Sequence, residues 1–359
     1  MWRKVLIVLL ALALAPGTWL RSKLPPADFA PRLEVTPLAL DPACCAAGAF
    51  RLAGAWQLTS KHPFFGGYSA LLIIAPGRFL ALSDRGYALE FSQPGSAAGP
   101  VRFDKTIEDE AVFKDNRDVE SAVRDPATGT IWLALEGRNA IARHRADLTR
   151  ETFREIPEMK HWPQNTGPEA MLRLPDGRFV VLCECNPGWF TSGLHQGLLF
   201  ASDPTEGAKG ESFPFHGVSG YRPTDMAQLP DGRVLILARR LTWPYPPRFA
   251  DKILLADPAE IRAGGDWQAQ EVVDLTAPWP IDNYEGIAIE QGPDGRAIVW
   301  IISDDNGAVF QRTLLLKLEL RMADLPPKQK APGSARTPLN LLHLLRAARI
   351  RQRQRRPSS

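Results

Sequence analysis

The chain carries no Gly-x-Ser-x-Gly elbow, no His-x-x-x-His pair and no glycine-rich phosphate loop. Serine-esterase, zincin and nucleotide-cradle chemistry therefore lack their usual sequence supports. Cysteine is scarce, with four in 359 residues. No lipobox precedes Cys44-Cys45, so lipid attachment is not indicated. Cys183 and Cys185 are too close in sequence for an unstrained bridge or a good metal site, and unpaired thiols are expected. An oxidising compartment would still permit a bridge between the two pairs. Long apolar runs are missing too: the longest unbroken one, Val5–Ala15, is short for a spanning helix unless Pro16–Leu20 extends it.

The N-terminus has the form of an export signal. Met1-Trp2-Arg3-Lys4 is a basic n-region, and Val5–Ala15 is an h-region of signal-peptide length. Pro16 spoils the Ala13-Leu14-Ala15 cleavage site, so residues 1–25 read as a signal peptide or a retained signal anchor. The expected location is the periplasm, soluble or held by this segment. The overall charge of +3 hides an asymmetry: residues 321–359 carry ten Arg/Lys against one Asp, whereas residues 31–320 carry 29 basic against 38 acidic. An acidic body argues against nucleic acid as its partner. In the tail, Leu341–Arg351 suits a helix with leucines on one face, placed for an anionic membrane surface; the alternative is a solvated basic tail after a Pro-containing linker.

What is abundant is repetition. A short phrase recurs as Gly67-Tyr68-Ser69-Ala70-Leu71, Asp118-Val119-Glu120-Ser121-Ala122, Gly167-Pro168-Glu169-Ala170-Met171, Pro223-Thr224-Asp225-Met226-Ala227 and Asn283-Tyr284-Glu285-Gly286-Ile287. With Ser69, Glu120, Glu169, Asp225 and Glu285 taken as equivalent, the steps are 51, 49, 56 and 60 residues. After each phrase come an apolar strand, a turn such as Pro175-Asp176-Gly177-Arg178, and a second apolar strand. A period near 50 with hairpin-paired strands specifies an all-β β-propeller of five repeats. The length of repeats four and five leaves a sixth, degenerate blade open. The fourth strand of the last blade has no source after Leu320, and Arg51–Leu58 is expected to supply it. The domain is placed at residues 50–320, after a linker at 26–49.

Propeller geometry makes a site prediction. The leading residues begin inner strands at one mouth of the channel, and the antiparallel second strands return to that mouth. Their ends are Asp84, Glu136, Glu184, Arg240 and Asp304. Glu120, Glu169, Asp225 and Glu285, together with Asp84, Glu136, Glu184 and Asp304, are therefore expected around one pole as metal ligands. So many carboxylates need counter-charge. A hard cation such as Ca²⁺, with six to eight oxygen ligands, supplies it. Arginines supply it too, and Arg85, Arg138, Arg239 and Arg240 are available. Purely structural capping of each blade by its acid is the alternative. His161 and His195 lie in aromatic-rich loops, as candidate acid–base groups or as ordinary loop histidines. Those loops, with Leu241–Phe249, either wall a pocket or pack between blades.

The phrases Gly66-Gly67-Tyr68-Ser69, Leu82-Ser83-Asp84-Arg85-Gly86, Asp118-x-Glu120-Ser121, Asn165-x-Gly167-Pro168-Glu169-Ala170, Pro223-Thr224-Asp225-Met226, Asn283-Tyr284-Glu285-Gly286 and Ser303-Asp304-Asp305-Asn306 resemble a bacterial family of phytase-like domains described as "esterase-like activity of phytase". The resemblance covers residues 50–320. It implies an exported propeller that hydrolyses ester or phosphate-ester bonds of small molecules. Calcium-dependent propeller phytases use a ring of acids to hold Ca²⁺, and the acids here are similar in kind. On that reading Glu120, Glu169, Asp225, Glu285 and Asp304 serve as ligands or bases, and Arg85 and Arg240 stabilise an oxyanion. The competing expectation is a non-catalytic binding or scaffold propeller associated with the membrane.

Overall fold

Each hairpin of the repeat forms the inner half of one four-stranded antiparallel sheet. The computed structural model describes residues 2–14, 26–40, 45–106, 117–185, 193–244 and 247–328. Blade 1 is built from Tyr68–Ala75, Arg78–Ser83, Tyr87–Ser92 and Arg102–Lys105. Blade 2 follows with Val119–Arg124, Ile131–Leu135, Ala140–His144 and Arg150–Glu155, and blade 3 with Pro168–Arg173, Phe179–Cys183, Leu194–Phe200 and Gly210–His216. Blade 4 comprises Arg222–Gln228, Val234–Pro244, Pro247–Ala256 and Gln270–Asp274. Blade 5 takes Asn283–Gln291, Arg296–Asp304 and Thr313–Arg321 from the end of the domain and Phe50–Thr59 from its start. The first-named strands of blades 1 to 4 line the channel, and Asn283–Gln291 completes the ring against Tyr68–Ala75.

Closure by the N-terminal strand follows the expectation from the unpaired end at Leu320. Phe50 pairs with Leu320, Ala55 with Leu316 and Leu58 with Thr313. Glu34–Pro37, inside the stretch read as linker, adds a further strand outside Phe50–Thr59, with Val35 opposite Leu58. The strand-like character of Leu33–Leu40 is absorbed there, and the described residues form five blades. A short parallel strand, Trp267–Gln268, widens blade 3 and buries the Trp267 indole completely.

The core is a set of seams between blades. Ala70, Leu72, Leu80 and Leu82 of blade 1 pack with Leu133, Leu135 and Ala140 of blade 2. Trp132 and Ala134 meet Phe179 and Val181 across the next seam. Val180 and Phe215 meet Ile236 and Leu254, and Leu237 and Ile253 meet Tyr284 and Ile301. Trp300 and Ile302 meet Phe79 and Leu89 to close the circle. Because both faces of each middle strand enter a seam, strands such as Ile131–Leu135 and Phe179–Cys183 are buried at every position, which explains their continuous apolar sequence. Where blade 5 meets blade 1, a Cβ on Gly286 would lie 2.9 Å from the Leu71 backbone nitrogen, so only glycine permits that approach.

Residues 2–14 form a helix, Trp2–Leu14, and no described helix is long and apolar enough to cross a membrane. The rest of the signal or anchor segment (15–25) and the tail from 329 onward, including the amphipathic stretch at 341–351, lie outside the described residues.

Closure makes the N-terminal strand part of the fold's stability. Phe50 is 1% exposed within the seam between blades 4 and 5. Phe50→Ala is expected to cost about 3–5 kcal/mol of unfolding free energy in a denaturant titration. A loss below about 1 kcal/mol would mean that this strand is peripheral.

Candidate functional site: the acidic mouth of the channel

Every inner strand carries a β-bulge at the same place, and the bulge fixes which residue faces the mouth. Register shifts fall between Tyr68 and Ala70, Val119 and Ser121, Pro168 and Ala170, Pro223 and Asp225, and Tyr284 and Gly286. The bulged residues are thus Ser69, Glu120, Glu169, Thr224 and Glu285. The expected equivalence is off by one in blade 4: Thr224, not Asp225, occupies the leading position. Matching acid to acid caused the slip.

Both hydroxyl residues of this set latch one blade to the next. Ser69 donates to the Val119 carbonyl, and Thr224 donates to the Tyr284 carbonyl at 3.4 Å. Asp225 lies one residue deeper, 1% exposed. It accepts from the Ser121 hydroxyl at 3.0 Å, the Met226 N–H at 2.9 Å and the Ile287 N–H at 2.9 Å. Ser121 in turn accepts from the Met171 N–H at 3.0 Å. Asp225 therefore staples the inner strands of blades 2, 3, 4 and 5, a structural position in place of a ligand at the mouth.

The second-strand ends follow the same register. The Asp84, Glu136 and Glu184 N–H groups donate to the Gly67, Asp118 and Gly167 carbonyls, Asp304 pairs with Asn283, and Arg239 pairs with Arg222. Arg239, not Arg240, takes the equivalent position in blade 4. Arg240 is exposed and lies 4.7 Å from the Tyr221 ring centroid. Arg85 spends its guanidinium on the Phe65 and Gly66 carbonyls, so it fixes the loop that enters blade 1. Arg138 pairs with Glu155.

The remaining acids do converge. Asp118, Glu120 and Glu136 bring one oxygen each within 4.8 Å of one another, as do Glu136, Glu169 and Glu184. Glu136 belongs to both trios. It also accepts from the Gly167 N–H at 3.1 Å and shares a hydrogen bond with Glu169. Asp84 and Asp304 influence each other and approach the same centre, since Glu120 feels Asp84 and Asp304 feels Arg239. Asp118, absent from the expected ligand set though present in the repeated phrase, belongs to this group. Room for it is made by glycine. A Cβ at Gly67 (φ +73°) would stand 2.3 Å from Asp84 Oδ1, and one at Gly167 would stand 2.7 Å from Asn139 Oδ1.

One guanidinium faces this crowd. Arg239 contacts Glu285, approaches Glu184 at 3.6 Å, and donates to Asn283 Oδ1 at 2.7 Å. Asn283 donates onward to Glu285 at 2.7 Å. At the rim, Arg222 lies 3.4 Å from Glu184 with its side chain 45% exposed. Arg239 and Arg222 thus bring positive charge to Glu184, and Arg239 brings it to Glu285. Burial first, and then neighbouring carboxylates, push Glu120 and Glu169 well above the usual range. Burial raises Glu136 to about 7 and, together with Asp84 and Asp305, raises Asp304 to about 8. Oxygen donors gathered in this number fit a metal cation.

Neither histidine serves the mouth. His161 is exposed. His195 is buried, with Nδ1 3.2 Å from the Cys185 carbonyl and Nε2 3.1 Å from the Tyr221 carbonyl. Trp162 is buried too, its indole donating to Gln196 at 2.7 Å. The loop at 186–192 lies outside the described residues. The cysteines depart from expectation. Cys183 and Cys185 form a disulfide, because the strand ends at Cys183 and the chain bends, bringing the Cα atoms to 5.0 Å, within bridging range. The bridge spans Glu184. Cys45 is disulfide-bonded as well.

A five-bladed propeller with a carboxylate-lined mouth is the class that these observations define. A model of the Phytase-like family, described as esterase-like activity of phytase, matches residues 63–307, and the chain belongs to that family. No match was found among curated protein sequences. Among solved structures, a glutaminyl cyclase from Myxococcus xanthus aligns over 76% of this chain and 97% of its own, at 12% identity and TM-score 0.41. A luciferin-regenerating enzyme aligns over 70% of this chain and 77% of its own, at 12% identity and TM-score 0.39. The N-terminal domain of Nup159 aligns over 78% and 98%, at 11% and 0.37.

The raised carboxyls set the sign of a pH effect. Unfolded, they ionise near pH 4; folded and metal-free, Glu136 and Asp304 hold their protons to about 7 and about 8. The unfolded state loses protons first, so stability falls as pH rises through this window and levels off above it. In chelator, the melting temperature is expected to drop by several degrees between about pH 5 and pH 8, and Glu136→Gln should flatten the slope. A melting temperature that rises over this range would show the acids ionised and well compensated in the fold. Separately, Asp225→Ala should cost about 3 kcal/mol or more, because it strands several buried donors; a cost under about 1 kcal/mol would contradict its role as a staple.

Proposed function

We propose that this protein is an exported hydrolase of ester or phosphate-ester bonds, working through a divalent cation, Ca²⁺ by preference, at the mouth of the propeller. The observation that carries the reading is the carboxylate cluster of Asp118, Glu120, Glu136, Glu169 and Glu184, in which two trios of converging oxygens share Glu136 and the part-buried Arg239 approaches Glu184. Isolated buried carboxylates are costly and neutralise themselves, whereas a bound cation makes the same cluster favourable. Family membership points the same way, since the family is described by an esterase-like activity of phytase.

In this reading Glu120, Glu136 and Glu169 hold the ion, Asp118 and Glu184 complete its oxygen shell, and Asp84 and Asp304 border the entrance. A bound divalent cation polarises an ester or phosphoryl oxygen and lowers the pKa of water. Arg222, part-exposed beside Glu184, is the donor placed to meet an anionic oxygen of a small-molecule substrate. Export is supported by the basic and apolar start of the chain and by the Cys183–Cys185 disulfide, which suits an oxidising compartment such as the periplasm. The N-terminal segment and the basic tail are the parts that would hold it to a membrane.

One observation favours the second reading, a non-catalytic binding propeller: Arg239 already neutralises Glu285 and Glu184. Metal analysis, melting curves with and without chelator, and a panel of carboxyl and phosphate esters separate the two. At a hundredfold excess over Kd, Ca²⁺ is expected to stabilise the fold by about 2.7 kcal/mol. Glu169→Gln should remove that effect, and chelator should abolish hydrolysis. An unchanged melting curve, no metal in the protein and no hydrolysis would leave the binding propeller.

A further inference from the structure

Asp251 is a buried carboxylate that the proposed chemistry does not use. It lies on the third strand of blade 4, directly opposite Arg239 in the antiparallel register. Cross-strand partners share one face of the sheet, with Cβ atoms about 4.5–5.5 Å apart. Arg240 and Lys252 point to the other face, where both approach the Tyr221 ring. Asp251 is 0% exposed, and neither of its oxygens has a hydrogen-bond partner among the described residues. The Arg239 guanidinium and the Tyr284 backbone N–H are the favourable groups that face it; Asp282 and Asp274 face it unfavourably. A fully buried carboxylate with no close hydrogen bond, beside an arginine that reaches elsewhere, is costly unless it has another use.

Arg239 itself is held by competition. It reaches inward to Glu285, Glu184 and Asn283, and its guanidinium carbon also lies 5.8 Å from the Phe249 ring centroid. Phe249 and Asp251 are two residues apart on the same strand, so the guanidinium has a flat apolar shelf on the side where Asp251 waits. Glu184 is the residue in conflict, because it belongs both to Arg239's partners and to the trio with Glu136 and Glu169.

We infer that Arg239 is a built-in counter-cation with two seats: it neutralises Glu184 and Glu285 when the mouth holds no divalent ion, and it moves to Asp251 when one binds. The inference rests on the metal reading of the mouth. A divalent ion at Glu136, Glu169 and Glu184 repels the guanidinium and claims Glu184. Asp251 then provides a carboxylate that receives the displaced charge within side-chain reach, with no change of backbone. The mouth is thereby kept neutral enough to fold before the ion arrives, and the ion's apparent affinity includes the exchange of Arg239 between seats.

The test is calorimetric titration of Ca²⁺ into the full-length protein and three variants. Asp251→Asn is expected to weaken Ca²⁺ binding about tenfold, because Arg239 loses its second seat, while the metal-free melting temperature stays level or rises. Arg239→Gln should tighten binding, and adding Asp251→Asn to it should change nothing further. Should Arg239→Gln fail to fold, Asp251→Asn alone and Arg239→Lys, which keeps the charge on a shorter-reaching, non-planar group, still decide the matter. Equal Ca²⁺ affinity in Asp251→Asn and the parent protein overturns the inference and leaves the metal site intact. An Asp251→Asn effect that persists in the Arg239→Gln background also overturns it. If no protein in the set, Arg239→Gln included, takes up Ca²⁺, the metal reading itself falls and the two-seat inference falls with it.

Discussion

Like charge confined at one end of the channel is the constraint on which the rest of this molecule turns. Five inner strands must start at one mouth, and each brings the residue at its bulge and the end of its neighbouring strand to that mouth. Nine of the ten positions so defined are Ser, Thr, Asp or Glu; the tenth is Arg239. Desolvation makes ionised carboxylates unfavourable there, and proximity makes several of them worse. The structure meets the problem with three devices: protons held on Glu120, Glu136 and Glu169, a guanidinium laid against Glu184 and Glu285, and the Gly167 N–H turned toward Glu136. Each device is weaker than a bound divalent ion would be, which is why the arrangement reads as one prepared for such an ion.

The scaffold bears this cost because its stability lies elsewhere. The five apolar seams run between blades, and backbone pairing from Phe50 to Leu58, broken by one bulge at Ala53, closes the ring. Polar staples lie deeper in the channel than the acids do. Asp225 gathers donors from blades 2, 4 and 5, and Ser121 connects it to blade 3. Asp203 plays a comparable part at the outer edge, accepting from Trp132 and Arg143 of blade 2. Carboxylates thus divide by depth: Asp225, within the channel, holds blades together, and the acids at the bulges and strand ends surround the mouth.

Most of the architecture was legible because strand period, turn chemistry and a repeat near 50 residues are properties of the chain itself. Even the closing strand could be found, from a blade that ended one strand short at Leu320. The site was legible only to within one residue in blade 4. A side-chain period of two means that a single slip exchanges the mouth for the channel interior, and similarity of residue type favoured Asp225 over Thr224. That same slip moved the expected arginine from Arg239 to Arg240. The absence of an acid at the leading position of blade 4, beside a serine at that position in blade 1, was the signal that could have exposed it. Asp251 left no signal at all, since its partner is set by pairing between second and third strands, outside the repeated phrase. The Cys183–Cys185 bridge was missed because it depends on a bend just past the end of a strand.

The placement of Arg239 has a consequence for how the mouth came to be asymmetric. Four of the five second-strand ends are acids, and the exception lies in the blade whose leading residue is Thr224 rather than Glu. Blade 4 therefore gives the mouth a cation where the other blades give carboxylates, and its own acid, Asp225, is withdrawn into the channel wall. Were blade 4 like its neighbours, the mouth would gain up to two more carboxylates and lose Arg239. With Arg239 present, the mouth has a counter-charge supplied by the chain itself, and on the proposed reading Asp251, opposite it on the adjacent strand, is where that charge moves when an ion binds. A buried carboxylate opposite an arginine that reaches elsewhere is hard to explain as packing; on the proposed reading, as the second position of that guanidinium, it has a physical reason to be there.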